Sequence, residues 1–163
     1  MKHRTIASMC ALLSSALLTA GLEPATATTP APPHRSCTGN LRARADIDSL
    51  ARRDDGPPYS TGQINAFVPA AEAAFKAAAD DLCVSGAIDA GKVARYRHLL
   101  VRSGSGADDS AVYDDPDAAG HDTLVFEWVF SEEGLTLPDK ADIEAALKCW
   151  NHPDEPVCSE REP

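Results

Sequence analysis

The residues predict an α+β domain, a small antiparallel sheet packed against two or three helices and stapled by two disulfides. Three observations carry that expectation. Residues 124–130 (LVFEWVF) are aromatic and β-branched, with Leu124, Phe126, Trp128 and Phe130 on one face of a strand. Phe67, Ala71, Phe75, Ala78 and Leu82 recur at helical spacing, as do Ile143, Ala146, Leu147 and Trp150. Four cysteines, Cys37, Cys83, Cys149 and Cys158, follow an amino-terminal stretch built like an export leader.

That leader has Lys2, His3 and Arg4, then an apolar run over 6–18, then Ala25-Thr26-Ala27. A run of 13 residues is too short to span a bilayer, which needs about 20, so 1–27 reads as a signal peptide and takes Cys10 with it. Residues 28–36 (TTPAPPHRS) hold three prolines and little apolar mass and read as a tether. Residues 37–163 then form a single compact domain. The cysteines that remain are even in number, contain no C-x-x-C pair, and read as two disulfides, Cys37 with Cys83 and Cys149 with Cys158.

In chain order, residues 41–48 (LRARADID) alternate as a strand does, yet Leu41, Ala45 and Asp48 also fit a helix. Gly56-Pro57-Pro58 is a loop. Ser60 with Gln63 forms a capping box for the helix that runs to Cys83, with Pro69 either kinking it or marking its true start, and Gly86 ending it. Residues 95–101 read as a strand, although Val93, Tyr96 and Leu100 also suit a helix. Pro138 and Asp139 open the last helix, whose end carries Cys149.

Between the two later strands lies a connection, 103–122, far longer than the usual 4 to 6 residues. It reads as the functional element, with a short strand allowed at Val112 and Tyr113. The candidate binding residues are all here: Ser103, Ser105, Asp108, Asp109, Tyr113, Asp114, Asp115 and His121. Asp115-x-Asp117 with Gly120 echoes a calcium loop, but Ala119 and Phe126 stand where ligands are required, so no metal and no cofactor is expected. Ser105, His121 and Asp122 can be written as a triad, and Glu127, Glu132 and Glu133 as paired acids, but neither set has a spacing that fixes geometry.

Ser103 to Ala107 (SGSGA) resembles the Ser-Gly loop of the bacterial periplasmic lysozyme inhibitors, in which an exposed loop enters the lysozyme cleft. The likeness covers five residues, the tyrosine comes only at Tyr113, and the helical patterns here do not suit that family's β-barrel.

Removing Lys2, Arg4 and Glu23 from 15 basic and 25 acidic side chains leaves 13 against 24, a formal charge of −11. Such a surface repels nucleic acid and anionic membranes and attracts a basic protein. The expected function is a non-catalytic exported binding protein of inhibitor or immunity type, periplasmic or extracellular, acting on a basic partner without a membrane anchor. The alternatives are a small secreted hydrolase using Asp, Glu or His, and a structural envelope protein.

Overall fold

A computed structural model of the chain describes residues 36–52, 57–104, 110–130 and 134–159. Every described residue belongs to one compact unit, Pro33–Pro163.

The ambiguous stretch at 41–48 is both things in turn. Arg42–Ala45 is strand β1, and Ile47–Ala51 is a single-turn helix α1 capped by the Asp46 side chain. Helix α2, Thr61–Ser85, starts at the expected capping box and continues through Pro69. The proline costs little there because Asn65, whose carbonyl loses its partner, is exposed to water together with Pro69. Gly86 ends the helix in the left-handed region at φ 73°. A Cβ at Gly86 meets nothing within 4 Å, so only the backbone opposes substitution. Gly86→Ala is therefore expected to lower stability by about 1 kcal/mol, readable as a shift in the urea midpoint at unchanged slope.

Helix α3, Ala90–Val93, precedes strand β2, His98–Ser103. The expected strand over 95–101 thus begins three residues late, because Tyr96 is drawn into the helical side of the core against Trp150. Strand β3, Ala111–Asp114, is the short strand allowed at Val112 and Tyr113. Strand β4 is Thr123–Trp128, and α4, Lys140–Asn151, and α5, Pro156–Ser159, complete the chain.

The sheet is small and packs against helices as expected, but its order, β1-β2-β4-β3, makes it mixed rather than antiparallel. β1 runs parallel to β2, β2 parallel to β4, and only β3 is antiparallel to β4. Two causes are visible. The helix α2 between β1 and β2 carries the chain back to the starting edge, as a crossover must for parallel strands. β4 then inserts between β2 and β3 rather than beside β3 alone. Ile64, Ala71, Phe75 and Leu82 of α2 and Ile143 and Leu147 of α4 pack on Leu99, Val101, Leu124, Phe126 and Trp128 from one side of the sheet. At the β1 edge, the Ala43 N–H donates to Glu72 of α2 at 2.7 Å, which closes that edge to a further strand. Burial would raise the Glu72 pKa, but the Ala43 N–H and the Lys76 and Arg42 charges outweigh it and hold the carboxyl below its ordinary value.

Both expected disulfides form, Cys37 with Cys83 and Cys149 with Cys158. Beside the first, Asp80 accepts from the Thr38 N–H at 3.1 Å, the Thr38 hydroxyl at 3.0 Å and the Ser36 hydroxyl at 2.7 Å, so the start of the described chain is latched to α2 twice over.

Candidate functional site

The long connection expected over 103–122 is two shorter ones separated by β3. They lie at opposite ends of β4, since Ala111 pairs with Glu127 near its carboxyl end and Asp114 with Leu124 near its amino end. Of the expected binding residues, Ser103 thus stands at one end of β4, and Asp114, Asp115 and His121 at the other. Ser105, Asp108 and Asp109 lie outside the described residues, as do Glu132 and Glu133.

At the amino end of β4, Asp114 is exposed overall, yet its Oδ1 accepts from the Tyr96 hydroxyl and from the Trp150 indole N–H, both at 2.8 Å. Burial, then the bond to Asp114 and its charge, pushes Tyr96 up to about 12. Lys92 lies 4.0 Å from the Trp150 ring centre and donates to the Trp150 carbonyl at 2.8 Å. Asp114 is thus a structural acceptor joining β3 to α4. Asp115 folds its Oδ1 onto the Asp117 N–H at 3.1 Å. His121 is exposed and sits in the left-handed region at φ 49°, which makes it a turn-shaping residue. Ser105 lies outside the described residues, so the triad of Ser105, His121 and Asp122 has no described geometry.

The carboxyl ends of the parallel strands β2 and β4 bring together a different set. This is the end of a parallel sheet where ligands commonly bind. Ser103 is clasped by its backbone, its N–H donating to Ser49 Oγ at 2.8 Å and its carbonyl accepting from the same hydroxyl at 3.1 Å. The Gly104 N–H bonds to the Trp128 carbonyl, and a Cβ at Gly104 would lie 3.2 Å from Glu127 Cγ, so a larger residue there requires the Glu127 side chain to give by a few tenths of an ångström.

On the side of the sheet away from the helices runs a polar chain. Arg102 Nε donates to Asp46 at 2.9 Å, Arg102 Nη1 approaches the Tyr113 hydroxyl at 3.5 Å, and that hydroxyl donates to Glu127 at 2.7 Å. Burial raises the Tyr113 pKa and Glu127 adds to the rise, against an opposing pull from Arg102. Burial works against the Arg102 charge, but Asp46 and Tyr113 outweigh it and raise the pKa. Tyr113, expected as a loop anchor, is instead a half-buried strand residue within this chain of bonds.

On the helical side lies an aromatic ledge. Phe67 of α2 and Phe130 beyond β4 are both half-buried, with ring centres 5.9 Å apart, and they rest on Trp128 at 5.9 and 5.1 Å. No protein-family model, curated protein or solved structure matches the chain. The site therefore rests on its own geometry. Phe67 and Phe130 fall on the faces that a helix and a strand bury, so the sequence placed them in the core. Their position at the end of the sheet leaves them partly open. The one available signal was that Phe130 directly precedes Ser131-Glu132-Glu133, which breaks the strand pattern and marks its exposed end.

Among the described residues no helix is long and apolar enough to cross a membrane, and no group of three or more His, Cys, Asp or Glu side chains is placed to hold a metal ion.

Proposed function

We propose that the protein is an exported, non-catalytic binding protein of inhibitor or immunity type whose partner is a basic protein. The observation that carries the reading is the half-buried aromatic ledge of Phe67 and Phe130 on Trp128, set beside the Gly104 connection at the carboxyl end of the sheet. Aromatic side chains fixed on a rigid scaffold and partly open to solvent are the usual anchors of protein interfaces. The polar chain from Asp46 to Glu127 supports the same reading, because its hydroxyl, carboxylates and guanidinium already bond to one another. The partner's charge follows from the mature formal charge of −11, which speeds encounter with a basic surface and repels an acidic one. Two disulfides suit an oxidising compartment.

Capture from envelope and culture-medium extracts, with the folded protein as bait, is expected to retain a basic protein. Phe67→Ala and Phe130→Ala should each weaken that complex by about tenfold or more, mainly through faster dissociation. Neutralising Asp108, Asp109, Asp115 and Asp117 to asparagine should slow association, most clearly at low salt. Retention that neither the phenylalanine truncations nor the aspartate replacements change, in variants with native circular dichroism, would sink the proposal.

A further inference from the structure

The two disulfides stand in different surroundings. Cys149 and Cys158 line a surface groove of about 250 Å³ beside α4. Its apolar lining is Ala141 and Ala145, and Glu144 and Glu155 stand there with Lys148, while Lys140 lies 3.6 Å from Glu144. Cys149 is half-buried and Cys158 is buried, yet among the described residues nothing after Trp150 belongs to the apolar core. The turn between α4 and α5 is exposed from His152 to Pro156. Its Glu155 N–H bonds to the His152 carbonyl and the Cys158 N–H to the Glu155 carbonyl, which ties the turn to itself rather than to the sheet. Cys37 and Cys83, by contrast, are packed against the core, and Asp80 Oδ1 lies 3.4 Å from Cys37 Sγ.

We propose that Cys149–Cys158 is a thiol-exchange site, reduced by a dithiol while the fold and the Cys37–Cys83 bond stay intact. Exchange requires a thiolate to reach a sulfur. A carboxylate in contact with Cys37 repels that incoming anion, whereas the groove beside Cys149 gives it a path with a lysine on the way. The thiolate of the dithiol attacks Cys149 Sγ, the more open sulfur, forming a mixed disulfide and expelling Cys158 as a thiolate, which takes a proton from water. The second thiolate of the reductant then attacks its own sulfur in the mixed disulfide and releases Cys149, which is protonated in turn. Two reductant thiols become one disulfide, and the protein disulfide becomes two thiols. Reduction detaches α5 from α4 and leaves Ile143, Ala146, Leu147 and Trp150 of α4 in the core, so the site switches the carboxyl-terminal turn between a held and a released state.

The test treats the folded protein with dithiothreitol, alkylates it with iodoacetamide at intervals, and maps the labelled cysteines by peptide mass. Cys149 and Cys158 should label about tenfold faster or more than Cys37 and Cys83. Native circular dichroism should persist when the first pair is fully labelled. The faster rate should also stay flat in urea below the unfolding transition, because attack through an open groove exposes little further surface. The variant with Cys149→Ser and Cys158→Ser should fold, with Cys37–Cys83 reduced as slowly as in the wild type. Equal rates for the two pairs, or Cys37 and Cys83 labelling first, overturn the proposal. So does a Cys149–Cys158 rate that climbs with urea as global unfolding does, or loss of native circular dichroism in step with the first reduction.

Discussion

Reduction of both disulfides is expected to remove about 7 kcal/mol of stability, enough to unfold most of the protein at 37 °C. In the chain-entropy model, a cross-link stabilises by restricting the unfolded chain, and the effect grows with the logarithm of the loop it closes. The separation of 46 residues between Cys37 and Cys83 corresponds to about 4 kcal/mol, and that of 9 between Cys149 and Cys158 to about 3 kcal/mol. Domains of this size have a net stability of only about 5 to 15 kcal/mol. Paired serine replacements separate the two contributions. Cys37→Ser with Cys83→Ser should cost more by loop length, although the bonds from Asp80 to Ser36 and Thr38 continue to hold the same ends together in the native state. Urea unfolding of each pair, read at equal slope, checks the order. A loss below about 1 kcal/mol for the Cys37 pair would mean that the unfolded chain is already constrained there, against the assumption of the model.

The second large effect centres on Asp114. Its Oδ1 is the acceptor for the hydroxyl of Tyr96 and the indole N–H of Trp150, two side chains that are 5 % and 8 % exposed. Asp114→Ala leaves both donors buried and unpaired, at about 1 to 3 kcal/mol each, and is expected to destabilise by about 2 to 5 kcal/mol. Asp114→Asn keeps a carbonyl oxygen in place and should cost much less. The same group gives a signature in alkali. Tyr96, pushed up to about 12 by burial and by Asp114, keeps its proton in the native state after the unfolded chain loses it near pH 10. The native state then binds more protons, so stability falls as pH rises. The contribution is intact below about pH 10 and lost by about pH 12, with a total of about 2 to 3 kcal/mol for a shift of this size. Lys92 acts oppositely, because burial lowers its pKa despite the nearby Asp114 charge. Comparison with Tyr96→Phe isolates the tyrosine. Urea midpoints between pH 9 and 11.5 should fall more steeply for the wild type than for Tyr96→Phe, and parallel curves would exclude the linkage.

Local chemistry determined much of this protein from its sequence alone. The capping box at Ser60 and Gln63, the left-handed stop at Gly86, the apolar stripes of α2 and α4 and the strand face of Leu124, Phe126 and Trp128 all lie where the residues placed them. Each depends on neighbours within a few positions, so no knowledge of the fold is needed. The pairing of the four cysteines was also legible, from the turn-forming prolines near Cys149 and Cys158 and the helix end at Cys83.

The tertiary structure decided what no local pattern encodes. The parallel pairing of β1 with β2 and of β2 with β4, where an antiparallel sheet was expected, joins residues far apart in the chain, and alternation is the same for either direction of pairing. The insertion of β4 between β2 and β3 makes Asp114 the acceptor for Tyr96 and Trp150, and joins Tyr113 to Glu127 and Arg102. It also sets Phe67 beside Phe130. A residue type and its spacing fix which face of an element a side chain occupies. Whether that face meets the core, another strand or solvent depends on the order in which the strands assemble, because burial is a property of the packed sheet as a whole.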